Sequence, residues 1–145
     1  MKAKGIFAVK SWEEKAYEQI SSEMKMSKAS VEYAVIGEIN GKALVEYLMF
    51  YKYVDATDQH KSSAMYIGLM RFVGSVQGKE GSFVIEDHGT FENGVASSTL
   101  HVVEGSGMEA LKGMEGTGRY GANQTEIQIE LEYNLPSSSA AGGPH

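Results

Sequence analysis

The chain contains no cysteine, and that absence removes several chemistries at once. A disulfide framework, a thiolate metal site and a cysteine nucleophile are all excluded. The lack of thiols fits a reducing compartment, and a cytoplasmic location is expected. Proline is scarce too, with 2 against 17 glycines in 145 residues. Many glycines with few prolines suit tight β-turns better than a disordered chain. Long hydrophobic runs are also missing. The longest, Tyr47 to Tyr51, falls far short of the ~20 residues of a membrane helix. The opening MKAKGIFAVKSWEE has lysines but none of the apolar stretch of a signal peptide. Basic clusters are lacking as well: 13 Lys and Arg are scattered among 19 Asp and Glu, for a net charge of −6. Such a surface repels a phosphate backbone, so neither nucleic acid nor membrane is expected as a partner.

What the chain does have is strand-like runs punctuated by glycine turns. Strands are predicted near residues 5–10, 28–39, 42–53, 63–76, 81–92, 95–104, 116–121 and 125–134. Residues 13–24 are polar and read as a helical turn or loop, and Glu109 to Met114 as one short helical turn. Eight sequential strands point to an all-β fold, an antiparallel barrel or a two-layer sandwich. One domain is expected over residues 1–135, with a disordered, low-complexity tail over 136–145. The last strand alternates cleanly, Ile127, Ile129, Leu131 and Tyr133 on one face against Glu126, Gln128, Glu130 and Glu132 on the other.

Short turns fix register, and register assigns faces. Asn93-Gly94 reads as a type I′ turn, pairing Glu92 with Val95, His88 with Thr99 and Glu86 with His101. Asp87 then points inward with Phe83, Ile85, Phe91, Ala96, Leu100 and Val102. Asn40-Gly41 reads as a second such turn. It places Glu46 inward among Val31, Tyr33, Val35, Leu44, Leu48 and Phe50, and turns Val45, Tyr47, Met49 and Tyr51 outward as an apolar stripe. Two inward acids call for a cation. Arg71, at strand spacing after Met65, Ile67 and Leu69, falls opposite Asp87 if the next loop is Gly78-Lys79-Glu80. An Arg fork can bridge two carboxylates. A Glu–Arg–Asp cluster serves either to fix register or to anchor the polar end of a ligand in an apolar cavity.

Other motifs carry less. His60, His88, His101 and His145 form no closed ligand set, GSGMEALKGMEGTG lacks the Lys-Ser/Thr of a phosphate loop, and no Gly-x-Ser-x-Gly elbow is present. No metal and no cofactor is expected, and no catalytic residue is assigned.

SWEEKAY (11–17), EYLMFY (46–51), YIGLMRFVGSV (66–76), GSFVIEDHGTF (81–91), NGVASS (93–98), VVEGSGMEALKGMEGTG (102–118) and the closing LEYNL resemble a bacterial family catalogued as domain of unknown function 3224. That family is similar to the allene oxide cyclase barrel, so the resemblance implies an eight-stranded antiparallel β-barrel rather than a sandwich. It carries over Trp12, Glu46, Tyr47, Arg71, Phe83, Gly89, Phe91, Ser106 and Gly107. At one position the chain departs, having Asp87 where relatives often have histidine. An aspartate beside Arg71 stays ionised, which sets apart any acid–base chemistry of those relatives. The expected function is binding of a small apolar ligand in the barrel cavity, with isomerase or cyclase activity as an extension. The candidate ligand-binding residues are Glu46, Arg71, Asp87, Tyr33, Phe50, Phe83 and Phe91. The rival is a non-catalytic oligomeric scaffold or stress-type protein whose barrel is filled by side chains. The outward stripe on the 42–53 strand further suggests a homo-oligomer, a dimer or trimer.

Overall fold

Ile127, Ile129, Leu131 and Tyr133 are all buried, while Gln128 and Glu132 between them face solvent. That period of two recurs along most strands of the chain and dictates one wet and one dry face. The structure is a computed structural model that describes residues 1–55, 57, 61–122 and 126–136. Its strands are β1 (Lys2–Gln19), β2 (Lys25–Gly37), β3 (Ile39–Tyr53), β4 (Ser63–Val76), β5 (Lys79–Glu92), β6 (Val95–Val102), the two-residue β7 (Met108–Glu109), β8 (Glu115–Ala122) and β9 (Glu126–Asn134). The sheet order is β4-β3-β2-β1-β9-β8-β6-β5, with β7 added beside β5. A further β4–β5 pairing closes the order into an eight-strand ring. Every strand pairing among the described residues is antiparallel. The expected disordered tail, apart from Pro136, lies outside the described residues, as do His60 and His145.

The β5–β6 hairpin follows the Asn-Gly reading. Asn93 (φ 53°) and Gly94 (φ 78°) are both left-handed, and Glu92 pairs with Val95 and His88 with Thr99. Asn40-Gly41 makes no turn. The chain reverses instead at Gly37-Glu38, where Gly37 adopts φ 129°, and Asn40 and Gly41 already belong to β3. Gly41 lies against Gly74 on β4, where a Cβ would come 2.7 Å from the Gly74 Cα, so this glycine serves close strand approach. Val35 therefore pairs with Gly41, not with Glu46, an odd displacement that exchanges the faces of β3. Val45, Tyr47 and Met49 point inward and are buried, while Leu44, Glu46 and Leu48 point outward.

The β4–β5 turn also begins one residue earlier than expected. Gln77 (φ 48°) and Gly78 (φ 84°) form it, Val76 pairs with Lys79, and Gly68 rather than Arg71 stands opposite Asp87. Arg71 pairs with Val84 and is exposed, along with Met65, Ile67, Leu69 and Val73. The inner face of β4 carries Ala64, Tyr66, Met70 and Phe72.

Residues 13–19 are strand, not helical turn or loop: β1 runs on to Gln19 with a bulge between Val9 and Ser11. Strand β9 covers only Lys2 to Ala8, so Ser11 to Gln19 pair with β2 alone and project with β2 and β3 as a lip above one end of the ring. The other end is plugged. Leu111 and Met114, in a loop of i+3 turns after β7, are fully buried with Phe7, Ile39, Phe72, Phe83, Leu131 and Tyr133. Phe72 and Phe83 meet at 5.1 Å between ring centroids. Burial of each such side chain contributes about 1.5–3 kcal/mol.

Candidate functional site

Asp87 sits on β5 two residues beyond Ile85, and alternation alone aims it into the ring, where it is 0% exposed. Its neighbour on β4 is Gly68, whose neighbour on β3 is Tyr47. The Tyr47 ring lies across Gly68: a Cβ there would sit 2.6 Å from Cδ1 of the ring. Crossing the glycine brings the Tyr47 hydroxyl to Oδ2 of Asp87, to which it donates at 3.0 Å. The next rung repeats the device. Tyr66 crosses Gly89 to reach Ser98, with 2.5 Å between Tyr66 Oη and Ser98 Oγ. From β8, Tyr120 donates to the same Oδ2 at 3.1 Å. Tyr33 Oη lies 3.3 Å from Tyr47 Oη, and Tyr66 Oη 3.4 Å from Tyr120 Oη.

Four tyrosines and a serine thus surround one carboxyl. Burial pushes the Asp87 carboxyl above the usual carboxylate range, against hydrogen bonds from Ser98, Tyr47 and Tyr120 that favour its charge. Burial also pushes the Tyr33 phenol up to about 12 and those of Tyr47, Tyr66 and Tyr120 upward. These phenols keep their protons at neutral pH. Oδ1 of Asp87 has no hydrogen-bond partner among the described residues, nor has the buried Oγ of Ser27.

Above the cluster opens a cavity of about 690 Å³, walled by Trp12, Tyr33, Tyr47, Met49, Tyr51, Tyr66, Phe91 and Tyr120 and including Ser27. Trp12, on the lip, stacks on Tyr47 at 6.3 Å. At the rim Glu14 accepts hydrogen bonds from Tyr51 Oη (2.7 Å) and Trp12 Nε1 (3.1 Å), and Lys25 Nζ lies 4.9 Å over the Tyr51 ring. A larger concavity of about 1300 Å³ runs past Ile67, His88, Arg119 and Glu130 and is also bordered by Tyr66, Gly89, Ser98 and Tyr120; Asp87 itself lines neither cavity.

Of the residues singled out from the sequence, Tyr33 and Phe91 line the smaller cavity, and Asp87 lies buried behind it, accepting from Tyr47. Phe83 belongs to the plugged end. Glu46 is on the outer face, accepting from Ser30 Oγ at 2.8 Å and lying 3.8 Å from Lys28 Nζ. Phe50 is half-buried on that outer face, and Arg71 is exposed, so the Glu–Arg–Asp cluster does not form. Asp87 is held by hydroxyls instead of a guanidinium, and burial raises its hold on its proton where an Arg71 partner was expected to lower it. Tyr47, expected outside, is its principal partner; Tyr66, Ser98 and Tyr120 escaped notice. The signal for Tyr47 and Tyr66 is a tyrosine one strand away from an inward glycine, legible only once register is known.

Among positions carried over by resemblance, Trp12 walls the cavity and Gly89 makes room for Tyr66. Ser106 ties its loop to β5, donating to Val103 O at 2.6 Å and accepting from Val84 N at 3.0 Å. A Cβ on Gly107 would lie 2.1 Å from Leu111 O, so that loop closes over a bare glycine. Among the described residues no three His, Asp or Glu converge as a metal site, and no helix is long and apolar enough to cross a membrane.

No curated protein matches the sequence. A crystal structure of a protein of unknown function from Shewanella oneidensis superposes with a TM-score of 0.72 at 21% identity, over 94% of this chain and 98% of that one. At that identity the likeness speaks for the fold. That protein is itself described as a member of the DUF3224 family. The family model, "Protein of unknown function (DUF3224)", matches residues 3–133, nearly all of the strand ring, and the chain therefore belongs to the DUF3224 family.

Proposed function

We propose that this chain binds a small, largely apolar molecule at the mouth of the ring, with the polar end of that molecule seated on the tyrosine–Asp87 cluster. The observation that carries the reading is the open, aromatic-walled cavity whose floor holds a fixed hydroxyl network and whose wall holds the unpartnered Ser27 Oγ. Ligand sites are typically apolar concavities with a few converging polar groups. The side-chain-filled scaffold describes the plugged end but not this one. A cyclase or isomerase step, as an allene oxide cyclase-like relation implies, would rest on the shaping of a chain in the cavity. Asp87 is fully buried behind the hydroxyls that hold it, so binding is the better-supported function.

Native mass spectrometry of protein purified from its own host tests this. A retained small molecule is expected, and it should be lost from an Ala96→Trp variant that fills the mouth. Protein that carries nothing, and takes up nothing from a host extract, overturns the reading.

We propose also that two copies associate through the outer face of β3 and β4. Leu44, Leu48, Met65, Ile67, Leu69 and Val73 are all 44–58% exposed there. Lys42 and Arg71 lie towards the Val73 end of the patch, and Glu46 and Glu86 flank Leu69 at its middle. A two-fold axis passing between the Leu44 and Leu69 rungs would set the basic Arg71 rung of one copy against the acidic rung of the other. Sedimentation should show a dimer that a Leu48→Glu, Ile67→Lys variant dissociates; a monomeric wild type removes the proposal.

A further inference from the structure

We propose that the polar end of the ligand is a cation, an organic ammonium group seated among the rings of Trp12, Tyr33, Tyr47 and Tyr66. The inference rests on the proposed function and follows from where the protons of the cluster go. A phenol has one proton to donate. Those of Tyr47 and Tyr120 are both spent on Asp87 Oδ2. At the Tyr33–Tyr47 contact Tyr33 must therefore be the donor, since the proton of Tyr47 is already engaged. The proton of Tyr66 goes to Ser98 or to Tyr120, and in either case stays inside the cluster. None of the four is left with a proton to offer the cavity. The floor presents oxygen lone pairs and aromatic faces, which attract a cation or an N–H donor and repel a carboxylate or enolate.

The make-up of the wall is compatible with this. The wall already holds one ammonium on an aromatic face, Lys25 over Tyr51. Lys25 is also the only cationic side chain among the described lining residues, and Glu14 lines the same cavity beside it. Ser27 Oγ is completely buried in the wall and unpartnered, a hydroxyl whose lone pairs can accept from an ammonium N–H and whose proton can serve a neutral oxygen.

Three probes of one skeleton separate the charges: phenethylamine, phenethyl alcohol and phenylacetate, titrated calorimetrically into the full chain at neutral pH. The amine is expected to bind at least about tenfold more tightly than the alcohol, within the range of a desolvated cation–π contact, and phenylacetate more weakly still. Trp12→Leu should lower the ratio of amine to alcohol affinity, whereas loss of apolar wall alone would weaken both equally. Equal or tighter binding of the alcohol or of phenylacetate overturns the cation and leaves a neutral or anionic ligand. Failure of all three to bind overturns it as well. A retained molecule in the native mass spectrum would then keep the proposed function standing, and an empty protein there would remove both.

Discussion

At the Gln77-Gly78 end of the ring, Phe72 and Phe83 meet at 5.1 Å and Leu111 and Met114 fill what remains. At the Asn93-Gly94 end, Tyr47, Tyr66 and Tyr120 occupy comparable inward positions, yet a cavity of about 690 Å³ stays open. Both ends are aromatic, and both are framed by the same strands. The difference lies mainly in one oxygen per ring: Tyr133 apart, phenyl rings fill the plug, whereas the phenols of Tyr33, Tyr47, Tyr66 and Tyr120 gather beside Phe91 at the open end. A phenyl edge can abut any apolar neighbour, so phenylalanines close up on each other. A buried phenol needs a partner for its hydroxyl. Here the hydroxyls turn towards one another and towards Asp87, and a network of this kind holds its walls at hydrogen-bond distance from a centre. One end is a core; the other is a frame.

Substitutions can break that contrast at either end. The largest loss is expected from Phe83→Ala in the plug, about 3–5 kcal/mol in urea denaturation, because little around it can collapse into the space. A cost under ~1 kcal/mol would show that the plugged end is loosely filled. Tyr47→Phe at the frame should cost less, about 1–3 kcal/mol, since it takes one donor from a buried carboxyl but keeps the ring over Gly68.

Asp87→Asn should alter the pH dependence of stability more than its size. An unfolded aspartate loses its proton near ~4, whereas burial makes the folded one hold it longer. Between those two values the folded chain binds more protons, so the contribution of Asp87 to stability is complete below the unfolded value and is lost as pH rises through the folded one. Wild-type stability should therefore fall with rising pH across that window, and the Asn variant should be flatter. An unchanged slope would mean that Asp87 is ionised throughout. The smallest effects belong to Glu46→Gln and Arg71→Met, each within about 0.5 kcal/mol, as expected for outer-face residues.

Much of the ring was legible because most strands have one polar face. Strand β9 alternates so strictly that its register needed no turn, and Asn93-Gly94 placed Asp87 inside correctly. Strand β3 resisted for the opposite reason. Both its faces are apolar, Val45, Tyr47 and Met49 against Leu44, Leu48 and Phe50, so its pattern fits either orientation and the turn must decide. The Asn40-Gly41 pair suggested the wrong turn, because the same glycine that suits a hairpin also suits the close packing on Gly74. Once β3 was inverted, β4 followed, and Glu46 and Arg71 entered the candidate site in place of Tyr47 and Tyr66. Composition could have flagged the error: an inward Glu46 needed a buried partner, whereas an inward Tyr47 needed only a glycine beside it.

The lip has a bearing on how the protein stays in solution. From Ser11 to Gln19 one edge of β1 has no neighbouring strand among the described residues, in a ring that otherwise leaves little backbone unpaired. An open strand edge is a template on which another chain can lay down hydrogen bonds. Glu13, Glu14, Lys15 and Glu18 line this one, and a second copy pairing antiparallel about Lys15 would set Lys15 against itself, as pairing about Glu14 would oppose like acids. The charges that make the segment look like a loop in the sequence are thus its protection as a strand. Replacing them with threonines would leave the fold intact and create a nucleus for fibrous, edge-to-edge aggregation, visible as thioflavin-positive growth that the parent sequence does not show.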